Sequence, residues 1–99
     1  MARYDVYENP TGVGYLVEVQ SDLLDGLQTR AVLPLVPHTP DLKVVRRLNP
    51  KLTIDGKEFA LFTHLIATVP ASRLGQTKMN MRAHDYEITS ALDMLFQGF

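Results

Sequence analysis

The hydrophobic residues of this 99-residue chain change their spacing near residue 83, and this change constrains the fold more than any other feature. Before that point, short apolar runs separated by Gly, Pro and Asn are typical of β-strands joined by turns. After it, Ile88, Leu92 and Leu95 recur at i, i+4 and i+7, which indicates a helix over residues 83–96 that packs on one face. The sequence therefore predicts a single domain, residues 1–99, that is mainly β and ends in one helix.

Two hairpins are predicted in the first sixty residues. Alternating apolar and polar residues around Tyr4 predict a half-buried strand, and the turn at Asn9–Gly12 joins it to a second strand at residues 15–19. Asp55-Gly56 lies between two further short apolar segments. It is the strongest hairpin signal in the chain, because both residues tolerate positive φ.

The central segments predict further strands. The continuous apolar run Ala31–Val36 indicates a buried strand. Pro34 has no backbone N–H to donate, so we expect it at a sheet edge or a bulge. Residues 61–69 predict another strand, ended by Pro70, and residues 74–81 predict a loop.

The predicted helix is apolar on more than one face. Met94 and Phe96 point away from the stripe that contains Ile88, so they are either satellite core contacts or part of a dimer or partner interface. Gly98 is expected to end the helix. The aromatic side chain of Phe99 then follows, and it is either a frayed end or an anchor for a partner's pocket.

The side chains that carry chemistry are scattered. His38, His64 and His84 lack the close spacing of metal ligands, so no metal site is predicted. Asp22 and Asp25 lie in a predicted polar turn, without the apolar surroundings that a carboxylate acid/base pair needs. No catalytic constellation and no cofactor signature is therefore predicted.

Charge and composition limit the expected partners. The net charge is −1, and the short basic segment 43–47 is interpreted as a solvated face, so direct nucleic-acid binding is not expected. No Cys is present, which excludes disulfides and thiolate metal sites and fits a cytoplasmic setting. No apolar run is long enough for a membrane span, and the first residues do not form a signal peptide, so no membrane partner is expected.

Four segments, in order along the chain, resemble the CcdB toxin family. They are Val19–Asp25, which matches V-Q-S-D-aliphatic-aliphatic-D, Thr29–Leu35, which matches the R-x-V-I-P-L strand, Thr68–Pro70, which matches Ser-Val-Pro, and Ala91–Phe99, which matches the helical end. Each motif is moderately specific, and the ordered set is more specific. The resemblance implies an SH3-like small antiparallel barrel with a β-wing hairpin and one C-terminal α-helix, assembled as a homodimer.

The resemblance also implies a function. Members of the family bind the DNA gyrase A subunit and trap the enzyme after it has cleaved DNA, without themselves catalysing a reaction, and a CcdA-type antitoxin with a disordered segment neutralises them. The implied gyrase-binding residues are, by position, Leu23, Leu24, Asp93, Phe96, Gln97, Gly98 and Phe99. Met94 and Leu95 are expected at the dimer interface.

Two departures and two alternatives accompany this resemblance. The best-known member of the family has Trp at the position of Gln97 and Ile at that of Phe99. Poisoning is therefore either reduced, directed at another topoisomerase such as topoisomerase IV, or rescued by Phe99.

The first alternative is an endoribonuclease of the MazF/Kid type, with Arg30 and His64 as candidate catalytic residues. The second is a non-toxic relative that only binds an antitoxin-like peptide.

Overall fold

The computed structural model describes all 99 residues as a curled antiparallel half-barrel sheet with one α-helix packed against it. The strands are β1 (Asp5–Glu8), β2 (Tyr15–Glu18), β3 (Thr29–Pro37), β4 (Lys51–Ile54), β5 (Lys57–Leu61), β6 (Ala67–Pro70) and β7 (Met79–Asn80), and the helix is α1 (Asp85–Gln97). Their hydrogen-bonded order is β4-β5-β3-β2-β1-β7, and β6 pairs with β3. This architecture confirms the predicted α+β class, mainly β, with a C-terminal helix. No helix in it combines the length and apolar character that crossing a bilayer requires.

Both predicted hairpins are confirmed. The first joins β1 to β2, with Glu8 opposite Tyr15, and the second joins β4 to β5. The second turn is formed by Asp55 at φ 52° and Gly56 at φ 78°, which is the left-handed conformation that two-residue hairpin turns need. The two hairpins lie on opposite sides of β3 and are both bonded to it.

The prediction that the first strand is half-buried is wrong, because β1 is buried on both faces. Val6 belongs to the main core, which lies against α1. Tyr7, its neighbour on the opposite face, belongs to a second cluster that also contains Leu16, Val32 and Leu74. The second cluster is completed by residues far along the chain, so alternation within β1 alone does not reveal it.

Pro34 lies inside the sheet, not at the expected edge or bulge. On one side of β3 it is opposite Leu16 of β2. On the other side it faces the gap where β5 has ended and β6 has not begun, and its carbonyl accepts there from the Phe62 amide at 2.8 Å. Since the N and O of one strand residue face the same side, the missing N–H costs no ladder hydrogen bond.

The sequence predicts one strand over residues 61–69, and this prediction is wrong. The chain leaves the sheet after β5, makes a short 3₁₀ turn at Thr63–Leu65 and returns as β6. The turn is held by the buried hydroxyl of Thr63, which donates to the Leu48 carbonyl at 2.6 Å. The predicted loop at 74–81 is mostly irregular, but its last part forms β7 against β1.

The helix begins and ends close to the predicted positions. Ile88 and Ala91 are its buried residues, and they place one face of α1 on the core. Gly98 follows the last turn at φ 80°, and its amide donates to the Met94 carbonyl at 3.1 Å. Gly98 therefore ends the helix in the left-handed conformation that glycine adopts without strain.

Candidate functional site

The end of α1 and the two residues after it expose two aromatic rings. Phe96 is 69% exposed and Phe99 is 70% exposed, and Gln97 and Gly98 between them are exposed as well. The sequence left open whether Phe96 is a core contact. The structure excludes that interpretation within one chain, because most of the ring surface faces solvent.

The residues that precede the tail lie between core and solvent. Asp93, Met94 and Leu95 are all half-buried in α1. None of them is a sealed core residue, unlike Ala91, which is fully covered. One turn of helix therefore carries partly covered apolar side chains directly beside the exposed rings.

A contact from a distant loop fixes the outer face of the helix. Arg47 has the unusual φ of 73°, and its Nε donates to the Ser90 Oγ at 2.8 Å. Both residues line a shallow depression together with Tyr86, Thr89 and Asp93. From the sequence, Arg47 is only part of a predicted solvated basic segment, because no local spacing connects residue 47 to residue 90.

The start of α1 is tied to the first residues of the chain. The Tyr4 hydroxyl donates to the Asp85 carboxylate, and it lies 3.3 Å from the Thr89 hydroxyl. The hydrogen bond from Tyr4 lowers the pKa of Asp85 below its usual value. Burial of the phenol, assisted by this same bond, raises the pKa of Tyr4. Because Tyr4 is itself a core residue, the helix is held to the sheet at its first turn.

A second exposed apolar surface lies on residues 22–27, which we call the leucine loop. Leu23 is 94% exposed, Leu24 is 49% exposed and Leu27 is 51% exposed. A short 3₁₀ turn over Asp22–Leu24 forms the first half of the loop, and none of its residues is buried. The loop therefore presents leucine side chains to solvent without being held by apolar packing of its own.

Polar contacts hold the leucine loop at its base. The Ser21 hydroxyl accepts from the Leu23 amide at 3.2 Å and so caps the turn. The Gln20 side chain donates to the Leu24 carbonyl and accepts from the Ala31 amide of β3, both at 3.1 Å. Gln20 thus links the loop directly to the central strand.

Arg30 of β3 makes the largest set of these contacts. Its guanidinium donates to the Asp25 carbonyl at 2.7 Å and to the Leu24 carbonyl at 3.4 Å, and it lies 3.3 Å from the Asp25 carboxylate. On its other side, the Glu18 carboxylate of β2 is 3.9 Å away. Burial raises the pKa of Glu18, while the Arg30 charge and a hydrogen bond from the Tyr7 hydroxyl oppose that rise.

The residues assigned to one surface by the family resemblance fall in two places. Residues 93–99 form a continuous stretch at the end of α1. The hydrogen bonds of the leucine loop instead run to Arg3, Gln20 and Arg30, and none runs to α1. The first residues of the chain contact the helix through the hydrogen bond from the Tyr4 hydroxyl to Asp85. At 1.5 Å per residue, Asp85 lies about 18 Å along the helix from Gln97.

No hydrogen bond or ion pair brings together the candidate catalytic residues of the ribonuclease alternative. Arg30 is 5% exposed; its terminal nitrogens donate to the leucine loop, its Nε donates to the Met1 sulfur at 3.3 Å, and the Glu18 carboxylate lies 3.9 Å away. His64 is exposed, has its Nδ1 3.3 Å from the Asn49 side-chain amide, and lies with its ring 5.1 Å from that of Phe62. The two side chains share no hydrogen-bonding partner. Asp22, also considered in the sequence, accepts from the Arg3 amide at 2.8 Å.

Comparison with known proteins supplies a family and a fold. The family model described as CcdB protein matches residues 3–98, which is nearly the whole chain. Among solved structures, one described as an endoribonuclease in complex with its cognate antitoxin from Mycobacterial species superposes with a TM-score of 0.76. That match covers 96% of this chain and 93% of the other at 14% identity, so it indicates a shared fold.

Proposed function

This chain belongs to the CcdB protein family, and from that premise we propose that it binds the A subunit of DNA gyrase and stabilises the cleaved DNA–gyrase complex. Membership assigns the chain to the toxins of toxin–antitoxin systems. The observation that carries the proposal is the exposure of Phe96 and Phe99 at the end of α1. Single apolar residues on a surface are common, whereas two exposed aromatic rings within four residues, preceded by half-buried Met94 and Leu95, are typical of an interface.

The two exposed rings carry enough apolar area to act as hot-spot anchors. Each phenylalanine ring leaves roughly 100 Å² or more of apolar surface in water, given its size and exposure. At about 25 cal/mol per Å² of apolar area, covering one ring contributes roughly 3 kcal/mol. Two rings on one tail therefore supply an anchor of the strength that alanine scanning finds at interface hot spots.

The proposed mechanism is selective binding and involves no bond chemistry by the toxin. A ligand that binds one conformation of gyrase more tightly than the others shifts the population toward that conformation. If the favoured conformation is the one in which DNA is cleaved, the break persists for as long as the toxin remains bound. The tail, Asp93 and the leucines Leu23 and Leu24 form the proposed contact surface.

We propose that the active species is a homodimer with Met94 and Leu95 in its interface. Both side chains are half-buried in one chain and lie next to the exposed tail. A two-fold axis passing near them places two tails side by side, which suits a two-fold symmetric target. The same dimer offers a route to bring the leucine loop of one chain toward the tail of the other.

The departures from the family pattern are compatible with this surface. Gln97 replaces a large aromatic anchor with a weaker one, but Phe99 adds a ring one residue beyond Gly98. We propose that Phe99 takes over part of the anchoring. We also propose a cognate CcdA-type antitoxin as the second partner, in agreement with the family.

Deletion of residues 97–99 tests the proposal. We expect the truncated protein to keep its fold, since none of the deleted residues is buried, and to lose stabilisation of cleaved complexes in an assay with purified gyrase, ATP and plasmid DNA. Tyr86→Ala is the matched control, because it removes an 80% exposed aromatic from the first turn of the same helix. If the truncated protein still traps cleaved DNA, the tail is not the binding surface.

The ribonuclease alternative predicts a different result. Purified protein incubated with RNA would then cleave it, and Arg30→Lys would abolish the cleavage. We expect no cleavage, because the Arg30 guanidinium is enclosed by protein acceptors and its residue is 5% exposed. The non-toxic alternative predicts that antitoxin-like peptides bind while gyrase does not, and the gyrase assay above separates that case.

A further inference from the structure

The leucine loop is unusual because it exposes its apolar residues and yet has a backbone held by several hydrogen bonds. Leu23 is almost fully exposed, and Leu24 and Leu27 are about half exposed. Within the loop, the Leu24, Asp25 and Leu27 amides each donate to a carbonyl three residues earlier, at 2.9, 3.2 and 3.1 Å. Because its leucine side chains are about half exposed or more, this loop has little apolar packing and needs another source of order to keep this geometry.

Arg30 supplies that order from inside the sheet. A guanidinium is planar and carries five N–H donors in a fixed arrangement, so it can hold neighbouring acceptors in a defined relation. Here it holds the successive carbonyls of Leu24 and Asp25 and also pairs with the Asp25 carboxylate. One side chain therefore fixes three acceptors of the leucine loop at once.

Arg30 is in turn fixed by the core. It lies on β3, is 5% exposed, and has Glu18 of β2 beside it, which is 2% exposed. The Tyr7 hydroxyl donates to Glu18 at 3.3 Å and connects the pair to β1. A rigid path therefore runs from three strands through Arg30 to the backbone that carries the leucines.

We propose that Arg30 is a positioning residue that presents Leu23 and Leu24 to the protein partner. The inference rests on the proposed function, in which these leucines contact gyrase. Arg30 touches no partner itself, and its effect is to keep the loop in its binding geometry before the encounter. Without it, the loop must be ordered during binding, which lowers affinity.

Arg30→Lys is the test variant, and Arg73→Lys is its matched control. Lysine keeps a positive charge beside Glu18, but as a compact donor it cannot span two carbonyls and the Asp25 carboxylate. Arg73 is exposed and makes no hydrogen bond or ion pair. We expect Arg30→Lys to weaken binding to the gyrase A subunit about tenfold, and Arg73→Lys to leave it unchanged.

Amide hydrogen exchange measures the order of the leucine loop in the absence of gyrase. Arg30→Lys should speed exchange at the Leu24, Asp25 and Leu27 amides, while the β2 and β3 amides stay protected. This measurement tests the positioning role even if the protein proves not to bind gyrase. Unchanged exchange in the loop would overturn the proposal, and absence of gyrase binding by the unmodified protein would overturn only the proposed function.

A coupling measurement separates positioning from general stability. In a protein that already carries Leu23→Ala and Leu24→Ala, Arg30→Lys should cause no further loss of gyrase affinity, because the presented side chains are gone. A loss that is still tenfold in this background would show that Arg30 acts through something other than the two leucines. If Arg30→Lys does not fold, the pair Glu18→Gln with Arg30→Met removes both buried charges together, and the same exchange and coupling results are expected.

Discussion

Gly98→Ala probes whether the left-handed turn after α1 directs Phe99 into the partner. Gly98 has φ 80°, and a Cβ added there meets nothing within 4 Å. The cost of L-alanine is therefore conformational, about 1 kcal/mol or slightly more for the left-handed region. In the free protein the tail can fray and avoid this cost, so the denaturation midpoint should not change.

Binding removes that freedom. If the bound tail keeps the turn, Gly98→Ala weakens binding by about 1 kcal/mol per engaged tail, which is about fivefold, and by about 2 kcal/mol or thirtyfold when a dimer engages both tails. D-alanine favours positive φ, so the Gly98→D-Ala protein should bind as well as the unmodified protein. Calorimetric titration of the gyrase A subunit measures all three proteins.

The D-alanine protein is accessible by ligation. A synthetic peptide covering residues 91–99 can be joined to residues 1–90 through a cysteine at position 91, which desulfurisation converts to the native Ala91. The chain contains no other cysteine, so this step leaves no trace. Binding by both the L- and D-alanine proteins that is as tight as that of the unmodified protein would refute the use of the turn. Equal loss in both would indicate that the partner's close approach, and not φ, requires glycine.

Three further predictions concern the fold, the dimer and acid stability. Gly14→Ala should cost at least about 3 kcal/mol in urea unfolding, because Gly14 has φ 95° and an added Cβ would collide with a β3 carbonyl, whereas Gly12→Ala should stay within about 0.5 kcal/mol. Leu95→Asp should convert the proposed dimer to a monomer, as measured by light scattering, because it places an unpaired charge in the interface. An unchanged mass would show that Leu95 is not an interface residue. Asp85 has a lowered pKa in the folded protein, so its contribution is present above its unfolded pKa of 3.8 and is lost as the pH falls through the folded value. Asp85→Asn, or Tyr4→Phe, should therefore flatten the dependence of unfolding midpoint on pH below about 4, and an unaltered profile would contradict this assignment.

The parts of the fold that were predictable from the sequence are those decided locally. Asp55-Gly56 specifies its own turn because both residues accept positive φ, and Gly98 ends α1 for the same reason. The helical spacing of Ile88 and its neighbours fixed the buried face of α1. Because Phe96 points away from that buried face, the same spacing indicated that its ring needs a second surface to cover it.

The failures depend on contacts between distant segments. The second face of β1 is covered by residues such as Leu74, and the place of Pro34 depends on where β5 ends and β6 begins. The role of Arg30 is of the same kind, since its acceptors lie on the leucine loop and its counter-charge lies on β2. A buried arginine in a strand gives no sign in the sequence of which carbonyls it will hold.

The position of β3 has a consequence for the lifetime of the protein in a cell. Its first half is bonded to β6, its second half to β5, and its other side to β2, so none of these three strands can detach without breaking bonds to β3. A protease that needs an unstructured stretch then reaches these four central strands mainly through the globally unfolded chain, whose abundance is set by the whole free energy of unfolding. A partner that binds through a disordered segment, as the family resemblance implies for the antitoxin, is open to cleavage whenever it is free. Under the proposed function, degradation would therefore remove the antitoxin first and leave this chain free.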